Sequence, residues 1–259
     1  MEDEPNLLGG QDPDGHQFLR PHQGPLRSDG PGMPSVVPET GWQVAMLLGS
    51  AGGFLDAFTW LGHGGVFANA QSGNVVLLAV GLATAHWSQA LRHIPPIVEF
   101  LAGVFTEHLL RTHEARRGHH RSALFSLGVE IVLLLLVAML PRDFPDLPIV
   151  LGIAFVAALQ NSGFTKVEKL AYNSVMTTGN LRRTAETFFA GLTTPRDPDA
   201  LRQTSVFASI CTTFAVGACL GAFVTARLSN AAVILPAAAL ALAFWLCRWH
   251  PDAGPSGPG

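Results

Sequence analysis

The chain has 259 residues, of which 48% are hydrophobic and 14% charged, with a formal net charge of -3 and a mean hydropathy of +0.31. A soluble domain carries roughly 25% charged residues, so this balance points to an integral helical membrane protein. The charge is too small, and too poor in basic residues interleaved with aromatics, for a nucleic-acid partner.

Residues 1–40 hold seven prolines and six glycines and few large apolar side chains. Such a segment buries too little surface to offset its ordering entropy, so a disordered tail is expected. It opens Met-Glu-Asp-Glu and lacks the basic and apolar regions of a signal peptide, which favours a cytoplasmic tail. Residues 250–259 read as a second disordered tail.

Between them, six segments are long enough for a membrane span of about 20 residues: 42–61, 94–110, 122–140, 148–164, 205–226 and 231–249. Two apolar segments, 75–85 and 181–192, are shorter. As a helix, the first would cover about 16 Å, against a hydrocarbon core of about 30 Å. Alternating segments of about 10 residues, the mark of a transmembrane β-barrel, do not occur. Cys211, Cys219 and Cys247 fall in apolar stretches and read as free packed thiols.

Lysine and arginine discriminate between six and eight spans. With six spans and the N-terminus inside, eleven of these residues lie inside and three outside, leaving out Arg182 and Arg183 within a short segment. With eight spans the same residues split seven and seven. The positive-inside rule favours six.

A short signature occurs twice, as Ser72-Gly73-Asn74 and Thr178-Gly179-Asn180, each at the head of a short segment. Upstream of each lies a polar group in an apolar run: Asp56 in the first half, Gln160-Asn161 in the second. The chain reads as one unit used twice, in residues 41–140 and 141–249. Three crossings per unit would invert the second relative to the first, as in several transporter folds.

The runs Gly53-Phe54-Leu55-Asp56-Ala57, Gly65-Val66-Phe67-Ala68-Asn69 and Ser72-Gly73-Asn74 resemble the signature of the YoaK family of multi-pass membrane proteins. Ala158-Leu159-Gln160-Asn161 and Thr177-Thr178-Gly179-Asn180 match it as well. The resemblance covers residues 42–249. It implies a bacterial inner-membrane protein with six spans and carries no known function.

The candidate solute or proton path comprises Asp56, Gln160, Asn161, both Gly-Asn triads, Glu99 and Glu130. Ser72 and Thr178 stand where an N-cap hydroxyl would satisfy a free amide. That capping is needed whether the helix end meets a solute or is simply buried. Asp56 is costly within a span, by roughly 2.5–3.5 kcal/mol; it fits a cavity or ion path, or equally a structural carboxylate. Glu99 and Glu130 fit a relay with Asp56, but pairing with Arg182 or Arg183 is the preferred reading. Those arginines oppose the dipole at the start of their helix and call for an anion, a carboxylate or snorkelling to a surface. Glu107 and His108 should reach the interface.

Gly217 and Gly221 form a GxxxG pattern suited to close packing, within the chain or between copies in a homo-oligomer. His113, His119 and His120 lack metal-ligand spacing and read as a solvated loop. No catalytic constellation and no cofactor fingerprint is visible, so an enzyme is not expected. The expectation is an all-α bundle in the lipid bilayer: six spans plus two short discontinuous helices in two inverted repeats, transporting a small solute or ion. The alternative is a non-transporting scaffold or regulator acting through a partner.

Overall fold

The computed structural model describes residues 41–117, 122–167, 170–172, 177–193 and 198–249. The two tails lie outside the described residues. The described chain is mainly helical: α1 (Trp42–Gly62), α2 (Gln71–Ala83), α3 (Trp87–Leu91), α4 (Ile94–Arg117), α5 (Ser122–Ala138), α6 (Asp146–Gly163), α7 (Thr177–Thr193), α8 (Pro198–Leu228) and α9 (Ile234–Trp249). Two-residue strands β1 (Lys166–Val167) and β2 (Leu170–Ala171) pair antiparallel between α6 and α7, with Lys166 opposite Ala171. Neither this hairpin nor α3 has a periodic signal in the sequence.

Three stretches, Trp42–Gly62, Asp146–Gly163 and Asp199–Arg248, are long and apolar enough to cross a membrane; Gln71–Ala83 and Ser122–Ala138 are shorter apolar helices. The third stretch is interrupted. Ser229 has φ of 51°, which few non-glycine residues adopt, and a 3-10 turn over Ser229–Val233 separates α8 from α9. α4 begins Ile94-Pro95-Pro96, where the missing proline N–H groups cost nothing because first-turn amides have no intrahelical acceptor.

The outer surface is apolar. Val98, Leu101, Phe105 and Leu109 on α4 are exposed at helical spacing, as are Val216, Leu220 and Phe223 on α8. A water-soluble domain would turn such stripes inward. The arrangement is compatible with a membrane protein.

The main core joins Leu48, Phe54, Leu55 and Phe58 of α1 with Leu127 and Leu134 of α5, Ile149 and Ile153 of α6, and Ala237 and Leu240 of α9. A smaller cluster of Ala45, Val167, Tyr172, Phe207 and Ile210 closes one end.

Glycines set the helix pairing. A Cβ on Gly53 would run into the Phe214 carbonyl, one on Gly217 into the Ser50 carbonyl, and one on Gly221 would stand 2.6 Å from the Phe54 carbonyl. α1 and α8 therefore touch backbone to backbone and run parallel. Gly217 and Gly221 are occupied by α1 of the same chain, so the face offered above to a second copy is already filled. Likewise a Cβ on Gly103 of α4 would lie 2.5 Å from the Phe155 carbonyl of α6. α1 also packs on α9, and α6 on α5.

Candidate functional site

α1 ends at a break. Gly64 and Gly65 have φ of 80° and 69°, a region glycine enters without strain. The irregular segment 63–70 then turns back along α1 to reach α2. Its backbone lies beside apolar helices, so its amides need partners within the protein.

Asp56 supplies them. One carboxylate oxygen accepts the Asn69 N–H at 2.7 Å and the Ala70 N–H at 3.4 Å. The Asn69 amide donates to the Gly52 carbonyl at 3.2 Å. Asp56 is 5% exposed, and its second oxygen, Oδ2, has no hydrogen-bond partner among the described residues. It lies six residues before the end of α1, about 9 Å along the axis. The start of α2 is thus drawn well below the end of α1.

Asn74 holds the same segment from the other side. Its Oδ1 accepts the Phe67 N–H at 3.0 Å, while its Nδ2 donates to the Phe67 carbonyl at 2.7 Å and to Gln71 Oε1 at 2.8 Å. His93, before α4, donates from Nδ1 to Asn74 Oδ1 at 3.3 Å. Burial pushes the His93 imidazole below its usual value, and the neighbouring Arg92 adds to this. Gly73 makes room for Phe67: a Cβ there would stand 2.8 Å from the Phe67 ring, which stacks on Trp60 at 4.7 Å.

The hydroxyl reading of the first triad is corrected. The residue at the cap of α2 is Ala70, with no side-chain cap bond. Ser72 sits inside the helix and is exposed. The acceptor comes instead from Asp56, across the break. The sequence contained a clue in Asn69, quoted above within its motif; nothing marked His93.

In the second half the triad opens α7. α7 begins beside the middle of α8, where the Cys211 thiol donates to the Thr177 carbonyl at 3.9 Å, and runs back so that Gly191 meets Leu201 near the start of α8. Asn180 is buried and Thr178 exposed. No described atom lies within 4 Å of a Cβ on Gly179. Gln160 is 1% exposed and neither its oxygen nor its nitrogen has a partner among the described residues; the same holds for Asn161 Oδ1. Residues 173–176, which precede α7, lie outside the described residues.

Arg182 takes Glu186 as its acid, at 3.4 Å one turn on, with both side chains exposed. Arg183 lies over the Phe207 ring at 5.6 Å. The preferred pairing of these arginines with Glu99 and Glu130 is therefore not what is found. Glu99 is half-buried on α4, and Glu130 is fully buried on α5 with both oxygens lacking a partner among the described residues. No hydrogen bond or ion pair joins Asp56 to Gln160, Glu99 or Glu130.

Glu107 departs from expectation. It is 0% exposed, and accepts the Ser126 hydroxyl of α5 at 2.7 Å. Its other oxygen lies 3.4 Å from Arg111, which donates to the Gly163 carbonyl at 3.1 Å. Its neighbour His108 is exposed.

At the opposite end, His63 Nδ1 lies 2.8 Å from Asp146 at the start of α6, so the end of α1 and the beginning of α6 share one level. The three cysteines are free. No curated protein and no solved structure matches the chain. Residues 44–246 match the family described as "Protein of unknown function (DUF1275)", and the chain belongs to that family.

Proposed function

We propose that this is a six-span membrane protein of two inverted repeats that moves a small solute or ion past Asp56. The carrying observation is Asp56 itself. It is a carboxylate buried in an apolar helix, with one oxygen holding the break before α2 and the other without a described partner. Intramembrane acids of this kind face an ion path or a partner group.

The repeat reading draws on helix pairing. α1 packs on α8 and α9 as α6 packs on α4 and α5. The His63–Asp146 contact makes α1 and α6 run in opposite directions. α2 and α7 each start beside the middle of a long helix and return toward an end, as discontinuous helices do in inverted-repeat transporters. Residues 41–140 and 141–249 would form the units, in the inner membrane, with the N-terminus inside.

The experiment is solute or ion flux in vesicles holding the purified protein. Asp56→Asn keeps an oxygen for the Asn69 amide and should abolish flux while leaving the protein folded. Undiminished flux would overturn the assignment. Reporter fusions after residues 88 and 118 should report opposite sides, outside and inside respectively; the reverse would restore eight spans.

A further inference from the structure

The polar groups between α4 and α5 form a second line, separate from Asp56. On α5, Ser122, Ser126 and Glu130 follow at four-residue spacing and share one face. On α4, Glu107, Arg111 and Glu114 follow at spacings of four and three, also on one face. The faces meet: Glu114 accepts the Ser122 N–H at 2.7 Å, and Ser126 donates to Glu107 at 2.7 Å. Glu130 lies one turn beyond Ser126, about 6 Å between Cβ atoms.

Exposure falls along this line. Arg111 is 38% exposed and Glu107, Ser126 and Glu130 are each 0% exposed. Both Glu130 oxygens lack a partner among the described residues, as Glu107 Oε1 lacks a hydrogen bond. Burying an acid with nothing to bond is costly, and packing alone would be met by leucine, as at Leu127 and Leu134 on the same helix.

We propose that Glu107, Ser126 and Glu130 form a proton-exchange path from the α4–α5 end of the bundle into its core. Glu130 is the terminal acceptor. When the Glu130 side chain swings onto Ser126, one turn away, protonated Glu107 gives its proton to the Ser126 oxygen as the hydroxyl gives its own to the Glu130 carboxylate, so the serine is left neutral and one proton has moved inward. The ligand class is a proton rather than a metal cation. The Arg111 guanidinium at 3.4 Å from Glu107 repels a second cation, and among the described residues no group of three metal-ligating side chains converges.

Few other charges face this line. Of the elements packed on α5, α4 brings Glu107, Arg111 and Glu114, with Glu99 two turns further. α6 has only Asp146, at its start and bound to His63. α9 has Cys247 and Arg248 at its end, and the 3-10 turn has none. The inference does not depend on solute transport, because exchange can be read in a protein that moves nothing.

The test is infrared spectroscopy of the full-length protein in lipid, with carbon-13 glutamate to mark the Glu side chains. Transfer to heavy water should shift a buried glutamic-acid carbonyl band that is missing from Glu130→Gln. In Ser126→Ala the same shift should be at least tenfold slower. An unchanged rate in Ser126→Ala overturns the path, and a Glu130 band that never exchanges overturns the acceptor. If Glu130→Gln does not fold, the labelled band in Glu107→Gln and Ser126→Ala decides: exchange as fast as in the parent protein in either variant rejects the proposal.

Discussion

The two breaks in this chain carry different polar groups: a carboxylate, Asp56, before the first, and the amides Gln160 and Asn161 before the second. In the first, Asp56 and Asn74 reach segment 67–70 from two helices and satisfy its backbone. In the second, the matching place in the sequence falls on Gln160 or Asn161, and neither polar atom of Gln160 is bonded among the described residues. A neutral amide in place of a carboxylate loses the strong charge-assisted acceptor. Among the described residues the first break is fastened by side chains of α1 and α2, while α7, after the second, packs on α8.

The sharpest way to break this comparison is to remove each polar group in turn. Asp56→Ala should lower the unfolding free energy by about 3 kcal/mol, since two buried amides lose a charged acceptor. Gln160→Ala should cost less than about 1 kcal/mol, because no described bond is lost. Chemical denaturation of both variants in detergent checks the pair; equal losses would erase the asymmetry.

The glycines of the two triads give a smaller contrast. Gly73→Ala must push the Phe67 ring off Trp60 and should cost about 1–2 kcal/mol. Gly179→Ala meets no described atom and should be neutral or stabilising, by up to about 1 kcal/mol, because alanine is the better helix former. Thermal unfolding of the two variants decides it.

The smallest effect concerns pH. His93 is held neutral by burial, so its folded value lies below its unfolded one. As pH falls below about 6.5 the unfolded state takes up the proton first. The stability that His93 contributes is therefore complete above that value and fades below it. Residues 164–193 contain no histidine, so the second break should lack this response. His93→Gln should flatten the acid limb of a stability profile, and an unchanged limb would place the dependence elsewhere.

Much of this was legible from apolar length. α1 and α6 lie within two residues of their expected bounds, because long uncharged runs leave a helix as the only way to satisfy the backbone in lipid. The breaks were legible too, through Gly64-Gly65 and the repeated triads. Polar partners were not. Which oxygen reaches Asn69 depends on how segment 63–70 folds back over α1, a non-local matter that a local capping rule assigns to Ser72. Burial of Glu107 was hidden for a similar reason: near a helix end, solvent or a facing serine can each satisfy it, and only the position of α5 selects Ser126.

The glycine seams have a mechanical consequence. α1 and α8 come from different halves of the chain, as do α4 and α6, yet each pair touches backbone to backbone. Such contacts cannot slide without steric collision. The rigid bodies are therefore not the halves of the sequence but these crossed pairs, each stitched from one helix of either half. Any rearrangement of the bundle would rock α1 with α8 against α4 with α6. Of the short helices, α7 packs on α8 and would move with it, while α2 touches both bodies, α4 by packing and α1 through the Asp56 bonds.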